Sequence, residues 1–455
     1  MKINVLVAEI GSTTTVVNAF NGIGGPCPKF LGQGQAPTTV LNGDVTVGLK
    51  GAVESLRENL KLDAVEYEEM LATSSAAGGL RMTVHGLVYD MTVRAAKEAA
   101  LGAGGIIKMV TAGKLRRTDM KKIQEINPNI ILVAGGVDYG ERETALHNFE
   151  QIAAMRLGIP MIYAGNIENQ EEVREIAEEF GVKLYLVENV YPKVDQLNVE
   201  PTRKVIQDAF EEHIIHAPGM TKVRDMVNGP IIPTPGSVME AAKLLKEHLG
   251  DLVVFDVGGA TTDVHSVTQG SEEISRILIS PEPEAKRTVE GDLGVYVNLP
   301  HIVEKIGMEN LLKEFEDAEE LVANAKPIPA TDREKQFIER LTLEAVLTSL
   351  ERHAGNLRHF YGSTGKKTVA EGKDLTNVKY IVGTGGALTR LPGRTGILES
   401  IFKHGKGTEL YPTSNAKVLI DNHYIMASLG VLSKRYPEDA LKLMKESMEI
   451  EEGKQ

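Results

Sequence analysis

The stretch "VVFDVGGATTDV" (253–264) decides the fold of this chain. It starts as an apolar run of strand length, reaches Asp256, and then turns at Gly258-Gly259 into threonines and a second apolar position. This order predicts a buried strand, a glycine turn and a returning strand. It also predicts a carboxylate at the mouth of the turn.

The same pattern occurs near the N-terminus, in "VLVAEIGSTTTVV" (5–17), where Glu9 takes the place of Asp256. The positions after the two carboxylates match at a constant offset of 247 residues: Gly11 with Gly258, Thr14 with Thr261, Thr15 with Thr262, and Val17 with Val264. A duplicated half-molecule is the simplest explanation of such a repeat.

Both turns suit the binding of an anion. Glycine lets backbone N–H groups approach a phosphate closely, and the neighbouring hydroxyls add donors. A carboxylate at the end of the preceding strand can hold a metal-bound water or orient an attacking water. Two such hairpins that face each other would hold phosphates and Mg²⁺ from both sides of a cleft.

A third glycine turn, "YIVGTGGALTRLPG" (380–393), follows another apolar strand and leads into a short helix. A turn of this kind lets the backbone pass against a flat ring and a ribose. Other phosphate motifs are absent from the sequence: Gly113-Lys114 and Gly365-Lys366 lack the remaining residues of a P-loop.

Composition narrows the class of protein. With 455 residues the chain is too long for one core, so two or three domains are expected. The net charge of −13 argues against nucleic-acid binding, and no apolar run is long enough to span a bilayer. Cys27 is the single cysteine, which excludes an iron–sulfur cluster and a disulfide framework. We therefore expect a cytoplasmic protein.

Apolar runs of strand length alternate with helical patterns, which predicts an α/β fold with largely parallel sheets. The alternation is clearest over 130–187, where strand, helix, strand, helix and strand follow in turn. Ser237 is expected to cap a helix that ends at Gly250. The predicted domains are 1–250, with an insertion at about 65–200, then 251–435, and a C-terminal helix and tail over 436–455.

At this point the sequence resembles the actin/Hsp70/sugar-kinase ATPase superfamily. "DVGGATTD" is similar to its second phosphate motif, and "IVGTGGALTRLPG" is similar to its adenosine motif. More narrowly, the chain resembles the MutL/GlmL family over nearly its whole length. The segments that carry this resemblance are "EIGSTTT", "TSSAAGGLRM", "ILVAGGVDYG", "DVGGATTDV" and "NHYIMASLGVL".

The resemblance implies two actin-like ATPase domains, of ribonuclease H-like type, around a nucleotide cleft, with an α/β unit inserted in the first. It implies an ATP- and Mg²⁺-dependent chaperone that releases damaged cobalamin from an adenosylcobalamin-dependent mutase or aminomutase and so reactivates it. The implied catalytic and metal-binding residues are Glu9 and Asp256. The implied nucleotide-binding residues are Gly11, Ser12, Thr13, Gly258, Gly259 and Thr261 at the phosphates, and Gly385, Gly386 and Ala387 at the adenosine.

The chain departs from the superfamily at Glu9, where aspartate is usual. The extra methylene moves the carboxylate about a bond length further towards the phosphates, so we expect Mg²⁺ to bind and hydrolysis to be slow. A non-hydrolysing, ATP-gated interaction protein is therefore one alternative. A small-molecule kinase of the same fold is another; it would need a catalytic base, and only the position of Asp138 after a strand suggests that residue for the role.

The glycine turns of the insertion, "AGGVDYG" (134–140) and "AGNIEN" (164–169), have three possible roles. They form a ligand crevice at strand ends, they join strands to helices, or they contact a partner protein. The sequence leaves these roles open. A homodimer also remains open.

Overall fold

The computed structural model of the chain describes residues 2–11, 14–39, 44–75, 80–214, 220–362 and 365–450. The chain divides into two compact units, Met1–Ser237 (unit 1) and Val238–Gln455 (unit 2). No described helix combines the length and the apolar character that crossing a membrane requires.

Unit 1 alternates strands and helices along most of its length. Its strands are β1 (Lys2–Ile10), β2 (Thr14–Asn21), β3 (Lys29–Pro37), β4 (Glu66–Ser74), β5 (Arg81–Gly86), β6 (Ile106–Ala112), β7 (Ile130–Val133), β8 (Met161–Tyr163), β9 (Leu184–Leu186) and β10 (Ile231–Pro233). Its helices are α1 (Val45–Asn59), α2 (Arg94–Gly102), α3 (Arg117–Ile126), α4 (Glu143–Ala154), α5 (Gln170–Phe180), α6 (Glu200–Ile214), α7 (Met220–Met226) and α8 (Thr234–Leu249), the last of which continues into unit 2.

The first sheet of unit 1 has the strand order β3-β2-β1-β4-β10. Strands β1, β2 and β3 pair antiparallel as consecutive hairpins, while β4 and β10 run parallel to β1. Strand β1 is buried along most of its length because it is central in the sheet and rich in β-branched residues. The carboxyl ends of β1, β4 and β10 therefore lie at one edge of this sheet.

A second sheet is inserted between β4 and β10. Its strands all pair parallel, in the order β6-β5-β7-β8-β9. Short, wholly apolar runs such as "IILV" and "MIY" form its centre, as expected for parallel strands that are covered on both faces. One core joins this sheet to the first sheet, and another lies beneath α4 and α5.

The first two strands of unit 2 also form a hairpin. Its strands are β11 (Leu252–Val257), β12 (Thr262–Val267), β13 (Ala285–Glu290), β14 (Asn356–Gly362), β15 (Gly365–Glu371), β16 (Tyr380–Thr384) and β17 (Lys417–Ile420). Its helices are α9 (Glu272–Ser275), α10 (Leu299–Ile306), α11 (Met308–Glu314), α12 (Ala318–Ala323), α13 (Asp332–His353), α14 (Gly385–Arg390), α15 (Arg394–Glu399), α16 (Met426–Leu432) and α17 (Pro437–Ser447).

The main sheet of unit 2 repeats the plan of the first sheet. Its order is β13-β12-β11-β16-β17, with antiparallel hairpins β11–β12–β13 and parallel strands β16 and β17. In both sheets the order is third, second, first, fourth and fifth strand. The fold class expected from the sequence is confirmed: both units are α/β domains of the ribonuclease H-like, actin-like ATPase type.

One expected helix start is wrong. Helix α8 begins at Thr234, and Ser237 is buried inside it. Pro235 is compatible with the first turn because the N–H groups there have no partner within the helix in any case. Pro235 is therefore part of the first turn of the helix.

Candidate functional site

The two hairpins have the same backbone geometry. In unit 1, β1 and β2 pair from Val5–Phe20 to Ile10–Thr15, and in unit 2, β11 and β12 pair from Leu252–Val267 to Val257–Thr262. Each pair in unit 2 lies 247 residues after its counterpart in unit 1. The repeat that the sequence suggested is thus also a repeat of strand register.

The first hairpin closes at Gly11, whose N–H donates to the carbonyl of Thr14 over 3.0 Å. A side chain at Gly11 would place its Cβ 2.6 Å from that same carbonyl oxygen, so the turn requires glycine. Ser12 and Thr13, which were predicted to bind phosphate, lie outside the described residues.

Glu9 lies near the carboxyl end of β1 and is only 6% exposed. Asn18, on the neighbouring strand, donates from Nδ2 to Glu9 Oε1 over 3.2 Å. The two side chains lie on one face of the sheet, because Glu9 is opposite Val16 and Asn18 is two residues further along β2. The Glu9 carboxylate is thus fixed by an amide within its own hairpin.

The second hairpin closes in the same way, through a bond from the Gly258 N–H to the Thr261 carbonyl of 2.9 Å. The carbonyl groups of Gly258, Gly259 and Ala260 accept hydrogen bonds from the segment 295–298. Among the described residues, the N–H groups of Gly259 and Ala260 donate no hydrogen bond. With its carbonyls occupied and these donors unused, the turn can receive an anion.

Asp256 lies against the third glycine turn. Strands β11 and β16 are parallel neighbours, and Asp256 is in register with Thr384, so both strands end at the same point. A Cβ at Gly385 would lie 2.5 Å from Asp256 Oδ1 and 2.6 Å from the Val257 nitrogen, at a φ of +83°. Glycine is therefore required at 385, and it places the third turn directly against the carboxylate.

The third turn opens α14. The Thr384 side chain does not cap this helix, because its hydroxyl donates to Asp421 Oδ2 over 3.0 Å. Gly386 is partly exposed, whereas the Ala387 methyl group packs in the core of unit 2. Any contact of Ala387 with a ligand would therefore come from its backbone.

A buried ion pair supports the second hairpin. Arg287 on β13 donates from Nε to Asp263 Oδ1 over 2.8 Å, and both side chains are nearly inaccessible to solvent. Thr261 donates to the other carboxylate oxygen of Asp263 over 3.2 Å. The pair thus ties the threonine of the turn to the third strand of the sheet.

Two further residues of this region were not found from the sequence. Asp421 accepts hydrogen bonds from Thr384, from Ser447 and from the backbone N–H groups at the start of α16. Arg287 had not been singled out either. No local motif marks these residues, because their partners are distant in the sequence.

A counterpart of the third turn also lies in unit 1. Glu9 is in register with Thr73 of β4, as Asp256 is with Thr384. Ser74 therefore occupies the position of Gly385, and its hydroxyl donates to the carbonyl of Ile10 over 3.4 Å. The sequence contains a signal for this correspondence. A threonine is followed by an alanine three residues later both in "TSSAA" (73–77) and in "TGGAL" (384–388).

The described residues contain no group of three or more His, Cys, Asp or Glu side chains that could hold a metal by themselves. The structure groups Asp256 with Gly258, Gly259, Thr261, Gly385 and Gly386 in unit 2, and Glu9 with Gly11 in unit 1. Each hairpin thus offers one carboxylate beside a turn suited to an anion.

Comparisons with known proteins show the family of this chain. The family model described as "MutL protein" matches residues 5–448. A curated relative, Protein MutL of Clostridium tetanomorphum, is 37% identical over 424 residues, which cover 90% of this chain and 92% of that protein.

Solved structures give weaker likenesses. Diol dehydratase-reactivating factor in nucleotide-free form is 10% identical, with 96% of this chain and 100% of that chain covered and a TM-score of 0.40. Ethanolamine utilization protein EutJ from Carboxydothermus hydrogenoformans is 12% identical, with 94% and 88% covered and a TM-score of 0.27. The strand order and register of the two main sheets define the fold.

Proposed function

Because the chain belongs to the MutL protein family, we propose that it is an ATP-dependent chaperone that reactivates an adenosylcobalamin-dependent mutase or aminomutase by releasing damaged cobalamin. The observation that carries the ATP-binding part is the pair of hairpins with one register, each with a carboxylate beside a glycine turn. The resemblance of the whole sequence to the MutL/GlmL family supplies the client.

In this proposal the glycine turns bind the nucleotide. The turns at Gly11 and from Gly258 to Thr261 would lie beside the phosphates, and the unused N–H groups of Gly259 and Ala260 would donate to them, while the N–H groups of Gly11 and Gly258 close the two hairpins. Gly385, Gly386 and the backbone of Ala387 line the adenosine, next to Asp256.

The donor set suits Mg²⁺. This ion prefers oxygen ligands, keeps several of its waters and is usually held by one or two carboxylates together with phosphates. Asp256 is partly exposed beside a turn that can bind phosphate, and Glu9 is the corresponding group of unit 1. Asp256 would hold the ion through its waters, the family resemblance implies the same role for Glu9, and the bound ion would neutralise the charge of the phosphates.

The chaperone action follows from differential binding. A nucleotide that binds one conformation of the protein more tightly shifts the population towards it, and a client that distinguishes the conformations responds. Hydrolysis or exchange of the nucleotide then resets the equilibrium. A slow ATPase is sufficient for such a cycle.

One observation favours a second candidate, an ATP-gated protein that does not hydrolyse the nucleotide. The Glu9 carboxylate is buried and bound to Asn18, so this group is already engaged within its own hairpin. In that case binding and release of ATP alone would switch the protein.

The fate of the γ-phosphate tests the proposal. The purified protein is incubated with Mg²⁺ and labelled ATP, with and without a cobalamin-dependent mutase that carries an inactive cobalamin, and with a panel of hydroxyl and carboxyl metabolites. We expect slow release of free phosphate that the blocked mutase accelerates. Label on a metabolite would instead indicate a kinase, and binding without turnover would favour the second candidate.

A matched variant identifies the source of any activity. Asp256→Asn keeps the size of the side chain but removes its charge, and it should abolish the stimulated release of phosphate. A preparation in which this variant is as active as the wild type owes its activity to a contaminant.

A further inference from the structure

The inserted sheet carries a set of loops at its carboxyl edge that the proposed ATPase does not use. They follow β5, β7, β8 and β9, which are neighbours in the sheet. We call the loops 87–93, 134–142, 164–169 and 187–199 the loop platform. Exposed large apolar residues are concentrated there: Val88, Tyr89, Tyr139, Ile167 and Val194.

Buried polar side chains bind the loops of the platform together. Asp138 Oδ1 accepts from the Ile167 N–H over 3.0 Å and from Asn189 Nδ2 over 2.9 Å. The Asp138 N–H in turn donates to the carbonyl of Pro192 over 2.9 Å. Three loops therefore meet at Asp138. These contacts give Asp138 a structural role in the platform, which differs from the role of a kinase base.

Asn166, which is fully buried, fixes the tip of the central loop. Its Oδ1 accepts from the Tyr139 N–H over 3.1 Å, and its Nδ2 donates to the carbonyls of Gly140 and Glu141. The loop is thus ordered from within, before any partner arrives, and binding would lose little conformational entropy.

The two most exposed apolar tips lie at or next to a strained backbone position. Tyr139 is 78% exposed and has a φ of 64°, which is unusual for an aromatic residue. Val194 is 64% exposed and precedes Asp195, whose φ is 59° and whose N–H donates to the buried Tyr191 hydroxyl over 2.8 Å. Strain that the surrounding structure maintains in order to expose an apolar side chain is typical of a binding surface.

The platform does not suit a small ligand. In a doubly wound sheet of this strand order, ligands bind where the order reverses, here between β5 and β7. There a Cβ added on Gly135 would lie 3.4 Å from Leu87 Cβ, so the space between the two loops at this point is no larger than a methyl group. The N–H groups of Leu87 and Val88 both donate to Thr92 Oγ1, which leaves them unavailable to a phosphate.

Charge indicates the kind of partner. The platform loops contain six acidic residues and two basic ones: Asp90, Asp138, Glu141, Glu168, Glu188 and Asp195 against Arg142 and Lys193. Two acidic platforms that face each other would repel, so a second copy of this chain is disfavoured. An apolar surface within an acidic rim matches a protein whose own apolar patch is surrounded by lysine and arginine.

We propose that the loop platform docks such a protein partner, with Tyr139 at the centre of the contact. This identification of the partner rests on the proposed function, under which the partner is the mutase. The glycine turns of the insertion then serve recognition, and the nucleotide acts at the hairpins.

The test measures binding of the full-length protein to a cobalamin-dependent mutase that carries an inactive cobalamin, by surface plasmon resonance in Mg²⁺ and ATP. The test variant is Tyr139→Asn, because asparagine tolerates a positive φ and the loop should keep its conformation. The control is Val47→Ser on α1, which removes another exposed apolar side chain of unit 1, 59% exposed in the structure.

We expect Tyr139→Asn to weaken binding at least about tenfold, mainly through faster dissociation, as for a central interface aromatic. Val47→Ser should bind as the wild type does. Glu168→Lys should slow association, and the difference should shrink at high salt. Binding of ATP should be the same in all four proteins.

Each other outcome has one meaning. If the wild type binds the mutase and Tyr139→Asn binds equally well, the platform is not the docking site, and the proposed function stands. If the wild type binds no mutase, the proposed function fails and this assignment fails with it. If sedimentation shows a wild-type dimer that Tyr139→Asn dissociates, the occupant is a second copy and the proposal is overturned.

Discussion

The hairpins that open units 1 and 2 have the same register and the same closing hydrogen bond, yet different side chains lie beside their turns. We call the side chains that lie beside each carboxylate on the same face of the sheet its layer. In unit 1 the layer next to Glu9 consists of Val16, Asn18 and, on β3, Gln33. Its members other than Glu9 are uncharged. Glu9 accepts a hydrogen bond of 3.2 Å from the Asn18 amide.

The corresponding layer of unit 2 is charged. Asp256 is opposite Asp263, and His265 and Arg287 occupy the positions of Asn18 and Gln33. The two hairpins thus have the same backbone register, but the layer of unit 2 is ionic and the layer of unit 1 is not. This difference shows that the turn can be supported in two ways, which should respond differently to substitution and to acid.

The largest expected effect comes from Arg287→Gln, which gives unit 2 the residue of unit 1. It leaves the buried Asp263 carboxylate without its counter-ion, and it should destabilise unit 2 by about 3–5 kcal/mol. Hydrogen exchange at the amides of β11, β12 and β13 measures the loss locally, without assuming that the two units unfold together.

The double variant Asp263→Val with Arg287→Gln is the control, because it reproduces the uncharged pair of unit 1. It should be more stable than Arg287→Gln alone, since no unpaired charge remains. Equal losses in the two variants would mean that packing, and not charge, determines the effect.

The next effect concerns the position after the fourth strand of each sheet, Gly385 in unit 2 and Ser74 in unit 1. Gly385→Ser forces a side chain onto Asp256 at a positive φ, and it should destabilise unit 2 by about 3 kcal/mol or more. Thermal unfolding and exchange at the β16 amides provide the measurement.

Ser74→Gly is the reciprocal change. Ser74 has no positive φ, and its hydroxyl donates to the carbonyl of Ile10 over a long 3.4 Å, so the loss should stay within about 1 kcal/mol. If the two variants were equally destabilised, the two positions would not differ in the way that the structure indicates.

The sequence predicted this comparison in part. The fold class, the offset repeat and the three glycine turns were found because strand patterns and glycine sterics are local properties of a sequence. The strands over 130–187 were predicted for the same reason, and they correspond to β7, β8 and β9. Local patterns thus identify elements and turns.

Residues that act through distant partners were not predicted. Arg287 reaches Asp263 across a strand pair, and Asp421 joins Thr384 to the start of α16. Neither residue lies in a recognisable sequence motif. Their roles become visible only when the strand pairing of the folded sheet is known. The correspondence of Ser74 with Gly385 was not predicted, because serine stands at the position where the third turn has glycine.

A smaller effect should appear on acidification. Among the described residues neither ring nitrogen of His265 has a hydrogen-bond partner, and burial, together with the positive charge of Arg287, lowers its pKa well below the ordinary value. Folded His265 is therefore neutral, while the unfolded chain takes up a proton below about pH 6.5. Its contribution is fully present above that pH and decreases by about 1.4 kcal/mol per pH unit below it.

His265→Asn, which introduces the residue of unit 1, should flatten this dependence. Exchange at the β11 and β12 amides between pH 7 and pH 5 measures it, and the β1 and β2 amides of the same sample are the internal reference. An unchanged slope in the variant would assign the acid sensitivity to another group, such as the buried His353, whose pKa is also lowered by burial.

The smallest expected effect is that of Glu9→Asp, which makes the two carboxylates alike. The shorter side chain no longer reaches Asn18, so unit 1 should lose about 1 kcal/mol of stability. If the length of Glu9 is what slows the proposed hydrolysis, the same change should raise the single-turnover rate several-fold, with binding of ATP unaltered.

Glu9→Gln separates length from charge, because it keeps both the reach and an oxygen that accepts from Asn18. It should retain stability and reduce hydrolysis, since the group near the metal has become neutral. If Glu9→Asp were no faster than the wild type while Glu9→Gln were slower, the charge of Glu9 would matter and its length would not. The slow step would then have to be sought at Asp256, in the hairpin with the ionic layer.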